Sequence, residues 1–384
     1  MQRCEARALD VVTYENGLHM QETLVRMRQR DEIPDQLLLL EHTPVITLGR
    51  GGRSENLLAS EATLRRNGVR FYETTRGGDI TYHGPGQLVA YPIVHLGEGR
   101  RDVRKYVTRL EEVLIRTARD FGVESTRSEG NRGVWVDGKD KLASIGVRIA
   151  KWVTSHGIAL NVATNLDHFA LITPCGIQGA GVTSLQRVAG TQVTMATVRE
   201  SFAQHFAEIF ERDLTWITPS VEVVKVVVFD QHDRVLLLHR KSDDDGWWQP
   251  VTGKVEPGET ADSAAARETL EETGQAAVPA ALDLTQSFLI DASFVKNLTA
   301  PVFAREQAYI ARINSEVPIR LDPEEHDRFG WFTLDEAQKT IRWSDDREAI
   351  EWAESSSKTL TSVRNRDKQE TRIASNSSIS ILNS

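Results

Sequence analysis

Two hydrophobic periods alternate along the chain. Residues 15–30, 102–121 and 197–212 repeat apolar side chains about every 3.6 positions, which predicts amphipathic helices. The runs LLLLEH (37–42), GVWVDG (133–138), ASIGVRIA (143–150) and HGIALNV (156–162) are short, aliphatic and marked off by glycine, which predicts strands. Together they predict an α+β layout on a mostly antiparallel or mixed sheet. From position 221 the pattern starts afresh: strands at VEVVKVVVF (221–229) and RVLLLHR (234–240), a glycine-rich loop, a helix over 260–273, strands within 285–313, and helices near 334–341 and 345–354. Uninterrupted apolar runs reach about four residues, so a membrane-spanning helix of ~20 residues is not expected. Residues 355–384, rich in Ser, Asn, Thr and charge, offer little apolar surface to offset ordering and are expected to form a flexible tail. No internal repeat is present.

Pro219 separates the two patterns and places a linker at 214–220. The expected division is therefore 1–216, 217–355 and a disordered 356–384, in keeping with 384 residues at roughly 150 per domain. Charge sharpens the division. The chain carries a net −9, yet residues 1–218 are nearly balanced, so the acidic excess falls in the second half. That argues against nucleic acid as a partner and suits a hard cation. Two cysteines, Cys4 and Cys175, rule out a disulfide framework. The charged N-terminus has no apolar signal region, and a reducing cytoplasm is the expected location, with no membrane partner.

The densest chemistry in the second half is GKVEPGETADSAAARETLEETG (253–274). A helix places Glu268, Glu271 and Glu272 on one face, where their repulsion calls for a cation. Arg267, four residues before Glu271, can hold that carboxylate in a bidentate pair. Thr260 or Asp262 can cap the helix. This stretch resembles the Nudix signature at Gly253, Glu259, Arg267, Glu268, Glu271, Glu272 and Gly274. It departs at Thr269, where the family has an aliphatic residue, and at Gln275, where it has an apolar one. WWQPVTGKVEPGET, EEHDRFGWFTLDEA and SDDREAIEW narrow the likeness to dihydroneopterin triphosphate pyrophosphohydrolases over about 220–355. The resemblance implies an α/β/α sandwich and hydrolysis of a nucleotide or pterin triphosphate. It implies Mg²⁺, or Mn²⁺, on Glu268, Glu271, Glu272 and Glu325. Arg240, Lys241 and Lys254 could hold phosphate, and Trp247-Trp248 read either as core or as a stacking surface.

In the first half, RGGDITYHGPGQ (76–87) is too rich in glycine for regular helix and suggests backbone brought close to a ligand. KLASIGVRI (141–149), HGIALN (156–161) and TPCGI (173–177) follow, with Cys175 on a turn between Pro174 and Gly176. With EHTPVITLGR (41–50) and ENLL (55–58), these segments resemble, in order and spacing, the lipoyl(octanoyl) transferases over roughly 8–215. The resemblance implies a biotin/lipoate protein ligase-like mixed sheet with helices. It makes Cys175 the acyl-thioester nucleophile and Lys141 the residue that favours its thiolate. The acyl slot would be lined by Arg76, Gly77, Gly78, Asp79, Ile80, Thr81, Tyr82 and His83, by Ser144, Ile145 and Gly146, and by Gly157, Ile158 and Ala159. Backbone N–H groups near Gly176 or Gly77 and Gly78 could hold an oxyanion, and His83 and His156 either orient these parts or are structural. The implied partners are octanoyl-acyl carrier protein as donor and, as acceptors, lipoyl domains of 2-oxoacid dehydrogenase E2 subunits and the glycine cleavage H protein, with no cofactor. The alternative is an ATP-dependent lipoate or biotin ligase-like domain beside a Nudix domain that senses a nucleotide without cleaving it.

Overall fold

A computed structural model describes residues 1–97, 99–174, 179, 181–242, 245–290 and 301–357. Cys175 and Gly176, and residues 358–384 of the expected tail, lie outside the described residues. The chain divides into two compact units, Met1–Ser220 with Ser287–Ala304, and Val221–Gln286 with Arg305–Ser384.

The first unit is built on a mixed sheet in the order Arg212–Trp216, Gln2–Val12, Asp35–His42, Gln87–Ile93, Val153–Asn161, Asp140–Ala150, Asn131–Val136, Thr126–Ser128. The first three strands run parallel and the rest pair antiparallel. The run Leu37–Leu40 is apolar throughout because the sheet is covered on both faces. Leu37 and Leu39 pack with Leu110, Leu114, Phe202 and Phe206 of helices Val103–Asp120 and Met195–Phe210. Leu38 and Leu40 pack with Met20 and Leu24 of helix Tyr14–Gln29. A small second sheet, Arg70–Glu73, Val45–Leu48, Ile80–His83, stands on its own core of Ile46, Leu64, Tyr82, Phe169 and Ile172.

The expected linker at 214–220 is corrected here. Arg212–Trp216 is a strand, paired in parallel with Gln2–Ala6. The helix before it ends at Glu211, which takes the left-handed conformation (φ 55°) and turns the chain directly into the sheet.

In the second unit, helix Ala261–Thr273 packs through Ala264 and Ala265 on Val224, Val226 and Val228. Helix Leu334–Thr340 and a helix over 344–357 pack through Ala337, Ile350 and Ala353 on Val227 and Phe229. The alternation along Val221–Phe229 thus serves both faces of an α/β/α sandwich. The sheet carries the antiparallel pairs Val221–Phe229 with Val251–Lys254, and Val235–Arg240 with His326–Phe332. Among the described residues no helix is long and apolar enough to cross a membrane.

Candidate functional site

In the first unit, the glycine-rich segments converge on a cavity of about 360 Å³. Arg76, Gly78, Asp79, Ile80, Thr81 and His83 border it from the small sheet and its entry loop. Ser144, Ile145, Gly146, Gly157, Ile158 and Ala159 border it from the large sheet. Gly146 and Gly157 pair across adjacent strands of the large sheet, and both are hemmed in by backbone, Gly146 by the opposite wall and Gly157 by its own sheet. A Cβ on Gly157 would lie 2.0 Å from the Ala90 carbonyl oxygen, and one on Gly146 would lie 2.8 Å from that of Gly77. Two expected lining residues serve otherwise. Gly77 ties the walls together, its N–H donating to the Val147 carbonyl at 3.0 Å. Tyr82 sits in the core of the small sheet and its hydroxyl meets His168 Nδ1 at 2.8 Å. Asp79 organises the neighbouring loop by accepting from the Asn56 amide at 2.7 Å and the Ile80 N–H at 2.7 Å.

Lys141 lies on the cavity wall, only 6% exposed. A β-bulge puts it there: Val134 pairs with Ala143, but Trp135 pairs with Lys141, so Leu142 is extra. The Lys141 ammonium stands 5.1 Å from the centroid of the Trp135 ring, a cation–π distance. Gly133, at φ 114°, leaves room for it, since a Cβ there would come within 3.0 Å of Lys141 Cε.

One end of the cavity is formed by Tyr14, His83, Tyr91 and His156, of which the sequence pointed to the two histidines and not to the two tyrosines. His42 lies behind it, between the Val12 carbonyl on Nδ1 (2.6 Å) and the Tyr91 hydroxyl on Nε2 (2.6 Å). His83 Nδ1 donates to Gln87 Oε1 at 2.8 Å. Burial drives the pKa of His42 down to about 4 and those of His83 and His156 down to about 3. All three imidazoles are therefore neutral at physiological pH. Arg76 is held in the wall, donating to the Thr47 carbonyl at 2.6 Å. The arrangement suits a slender acyl chain lying beside a buried ammonium.

In the second unit, Thr260 caps helix Ala261–Thr273 in a capping box with Ser263. Gly253 is required because a Cβ there would overlap the Glu268 carboxylate. Arg267 makes its bidentate pair with Glu259 (3.1 and 3.0 Å), and single bonds to Glu268 (2.7 Å) and Glu271 (2.9 Å). The expected bidentate partner, Glu271, is thus corrected to Glu259, which reaches Arg267 from the loop before the helix. The two departures from the Nudix pattern have local explanations. Thr269 is fully buried but donates its hydroxyl to the Ala265 carbonyl at 2.7 Å. Gln275 donates to the Asn314 and Val317 carbonyls, both at 3.1 Å, and so fixes a loop.

Glu272 is 4% exposed, and its Oε2 has no hydrogen-bond partner among the described residues. Burial, then the nearby Glu268 and Glu325, raise its pKa well above the ordinary carboxylate value. Glu272, Glu325 and His326 each bring one donor atom within 4.8 Å of the others. Glu272 and His326 are buried with unpaired donors among the described residues, and the exposed Glu325 completes a set that fits a divalent cation. His326 was not anticipated, although it follows Glu325 directly. Arg240 donates to Glu325 at 3.1 Å and Lys241 to the Pro323 carbonyl at 2.5 Å. Trp248 packs edge-on to Phe332 in the core, while Trp247 meets Trp343 edge-on at 6.4 Å.

A further cluster lies inside this unit. Lys225 is buried with Glu306 (2.9 Å), Asp345 (2.8 Å) and Asp346 (2.7 Å). One ammonium cannot neutralise three carboxylates, and burial raises the pKa of Glu306 to about 7 and that of Asp346 to about 6. A raised folded-state pKa means stability that is full below the ordinary carboxylate range and is lost as pH rises through about 6 to 7. Thermal scans of the chain should therefore show the transition that reports this unit weakening between about pH 4 and pH 7, by roughly 3 kcal/mol at most per carboxylate. Glu306→Gln should flatten that slope; an unchanged slope would assign the pH response elsewhere.

A family model described as the lipoyl protein ligase A/B catalytic domain matches residues 13–207. An octanoyltransferase of Myxococcus xanthus is 39% identical over 350 residues, covering 89% of this chain and 96% of that protein. The chain belongs to the lipoyl protein ligase A/B family. An octanoyltransferase of Solibacter usitatus is 48% identical over 214 residues, which are 56% of this chain and 96% of that protein. A NUDIX domain model matches residues 219–353. Among solved structures, the E. coli dihydroneopterin triphosphate pyrophosphohydrolase is 29% identical, covers 34% of this chain and 92% of its own, and has a TM-score of 0.30. This member of the lipoyl protein ligase A/B family is thus an acyltransferase joined to a Nudix hydrolase domain.

Proposed function

We propose that the first unit transfers an octanoyl group from octanoyl-acyl carrier protein to Cys175, and from Cys175 to the acceptor lysine of a lipoyl domain. The observation that carries this reading is the cavity, which gathers the glycine-rich segments around Lys141 and a set of neutral histidines. The Cys175 thiolate attacks the donor thioester carbonyl, and the carrier thiol leaves with a proton. The acceptor lysine amine then attacks the enzyme thioester, an amide forms, and the Cys175 thiolate departs. One thioester replaces another and an amide follows, so no ATP is consumed. The Lys141 ammonium favours the thiolate and gives its proton to the departing carrier thiol; the neutral amine it becomes then takes a proton from the attacking acceptor amine. Neutral His83 and His156 leave the apolar chain without a charge to desolvate.

The test is intact mass of the full chain mixed with octanoyl-acyl carrier protein, then with a lipoyl domain, without ATP. One octanoyl mass should appear on the chain and then pass to the lipoyl domain. Transfer only when ATP is added would replace this reading with a ligase. Lys141→Met should slow acylation by about 10²-fold or more, with the loss partly recovered at alkaline pH, where Cys175 ionises unaided. Equal rates at pH 7 would leave Lys141 without a role.

The second unit, in the same proposal, hydrolyses a diphosphate bond in a nucleoside or pterin triphosphate, using Mg²⁺ or Mn²⁺. Glu272 and Glu325 would hold the cation, which neutralises phosphate charge and activates water. Arg267 keeps Glu259, Glu268 and Glu271 in place. Pyrophosphate release from a panel of such triphosphates tests this. A nucleotide bound tightly and left intact would favour the sensor alternative.

A further inference from the structure

We propose that His326 is a direct ligand of the second unit's cation, beside Glu272 and Glu325, and that this mixed nitrogen–oxygen set makes the site prefer Mn²⁺ to Mg²⁺. The proposal rests on reading that unit as a cation-dependent hydrolase, and it names a donor and a selectivity that the glutamate pattern does not contain.

The geometry comes first. One atom each from Glu272, Glu325 and His326 falls within a 4.8 Å span. Two elements supply them. Glu272 stands in the last turn of helix Ala261–Thr273, and Glu325 and His326 stand where strand His326–Phe332 begins. The His326 backbone is anchored there, its N–H donating to the Asp322 carbonyl at 2.9 Å. Each carboxylate has one oxygen to spare. Glu325 gives Oε2 to Arg240, which leaves Oε1. Glu272 Oε2 is buried and unpartnered among the described residues.

His326 itself is the second observation. It is 1% exposed, yet neither ring nitrogen has a hydrogen-bond partner among the described residues. Two other buried histidines of this chain are paired at both ring nitrogens. His239, on the adjoining strand, meets Asp327 with Nδ1 (2.7 Å) and Arg328 with Nε2 (3.1 Å). His42 is paired at both nitrogens. A buried imidazole with nothing to bond is costly unless something is meant to approach it. Here what lies beside it is a pair of carboxylates, one buried and unpaired, and a divalent cation satisfies all three. Imidazole suits first-row transition metals, whereas Mg²⁺ holds to an all-oxygen octahedron and gives up water reluctantly.

The experiment uses the full chain, stripped of metal with a chelator and titrated with Mn²⁺ alone, then competed with Mg²⁺ alone. Electron spin-echo spectroscopy of the bound Mn²⁺ should show coupling to a directly bound ¹⁴N, and Mg²⁺ should displace Mn²⁺ only in about tenfold excess or more. His326→Gln should abolish the coupling and bring the two affinities together. Because His326 is buried and its variant could unfold, Glu325→Gln serves as well: it should weaken Mn²⁺ binding while the ¹⁴N coupling persists. Absence of coupling in the unaltered chain, its survival in His326→Gln, or equal competition by Mg²⁺ overturns the proposal. Turnover is not part of the readout. An active hydrolase without nitrogen coupling sinks this proposal alone, and Mn²⁺ held through His326 in a chain that cleaves nothing sinks the hydrolase reading alone.

Discussion

Cys175→Ser is expected to remove acyl capture altogether. After incubation with octanoyl-acyl carrier protein, the unaltered chain should gain one octanoyl mass and the variant none, with transfer to a lipoyl domain falling by at least ~10³-fold. The reason is chemical. A serine hydroxyl is far from ionised at neutral pH, and an oxyester would make a poorer acyl donor than a thioester. Cys4 cannot stand in. It is fully buried, and burial with Asp35 nearby pushes its thiol up to about 12. An adduct that survives in Cys175→Ser, or one that maps to Cys4, would refute the assignment.

The second large effect is expected at Glu272. Glu272→Gln should lower cation-dependent hydrolysis by about 10³-fold, since it removes the most deeply buried anionic donor of the cluster. The same change should leave the metal-free chain no less stable. In the unaltered protein that carboxylate is buried near Glu268 and Glu325, and its raised pKa records the cost of ionising it there. Added Mn²⁺ or Mg²⁺ should raise the melting temperature of the unaltered chain by preferential binding to the folded state, and should not raise that of the variant. Full hydrolysis by Glu272→Gln, or a metal-free variant that melts well below the unaltered chain, would remove Glu272 from the site.

Local periodicity carried most of the elements. Helix Val103–Asp120 and strand Asp140–Ala150 fall within a few residues of where their patterns put them. The glycines of 76–87, 144–146 and 157–159 were legible as a group because close backbone approach leaves a compositional mark. Less legible were residues whose meaning depends on distant partners. Lys225 sits in VVKVVV, where its spacing resembles any solvated strand charge, and its partners arrive from 306 and 345–346. Trp135 faces Lys141 only because of a one-residue bulge, which no periodicity records. His326 stood among charged neighbours, and only its burial without a partner sets it apart. Leu214–Trp216 falls in the linker that Pro219 suggests, while the strand it pairs with lies at the opposite end of the chain.

The first unit is not continuous in the chain. Its apolar cluster of Leu9, Val12, Met20 and Leu24 also contains Leu289 and Phe303. During synthesis from the N-terminus, that cluster therefore waits for residue 303 to leave the ribosome, by which time helix Ala261–Thr273 has already emerged. The transferase thus matures only after much of the hydrolase has been made, and a nascent chain released near residue 220 leaves Leu9 and Val12 without two of their neighbours.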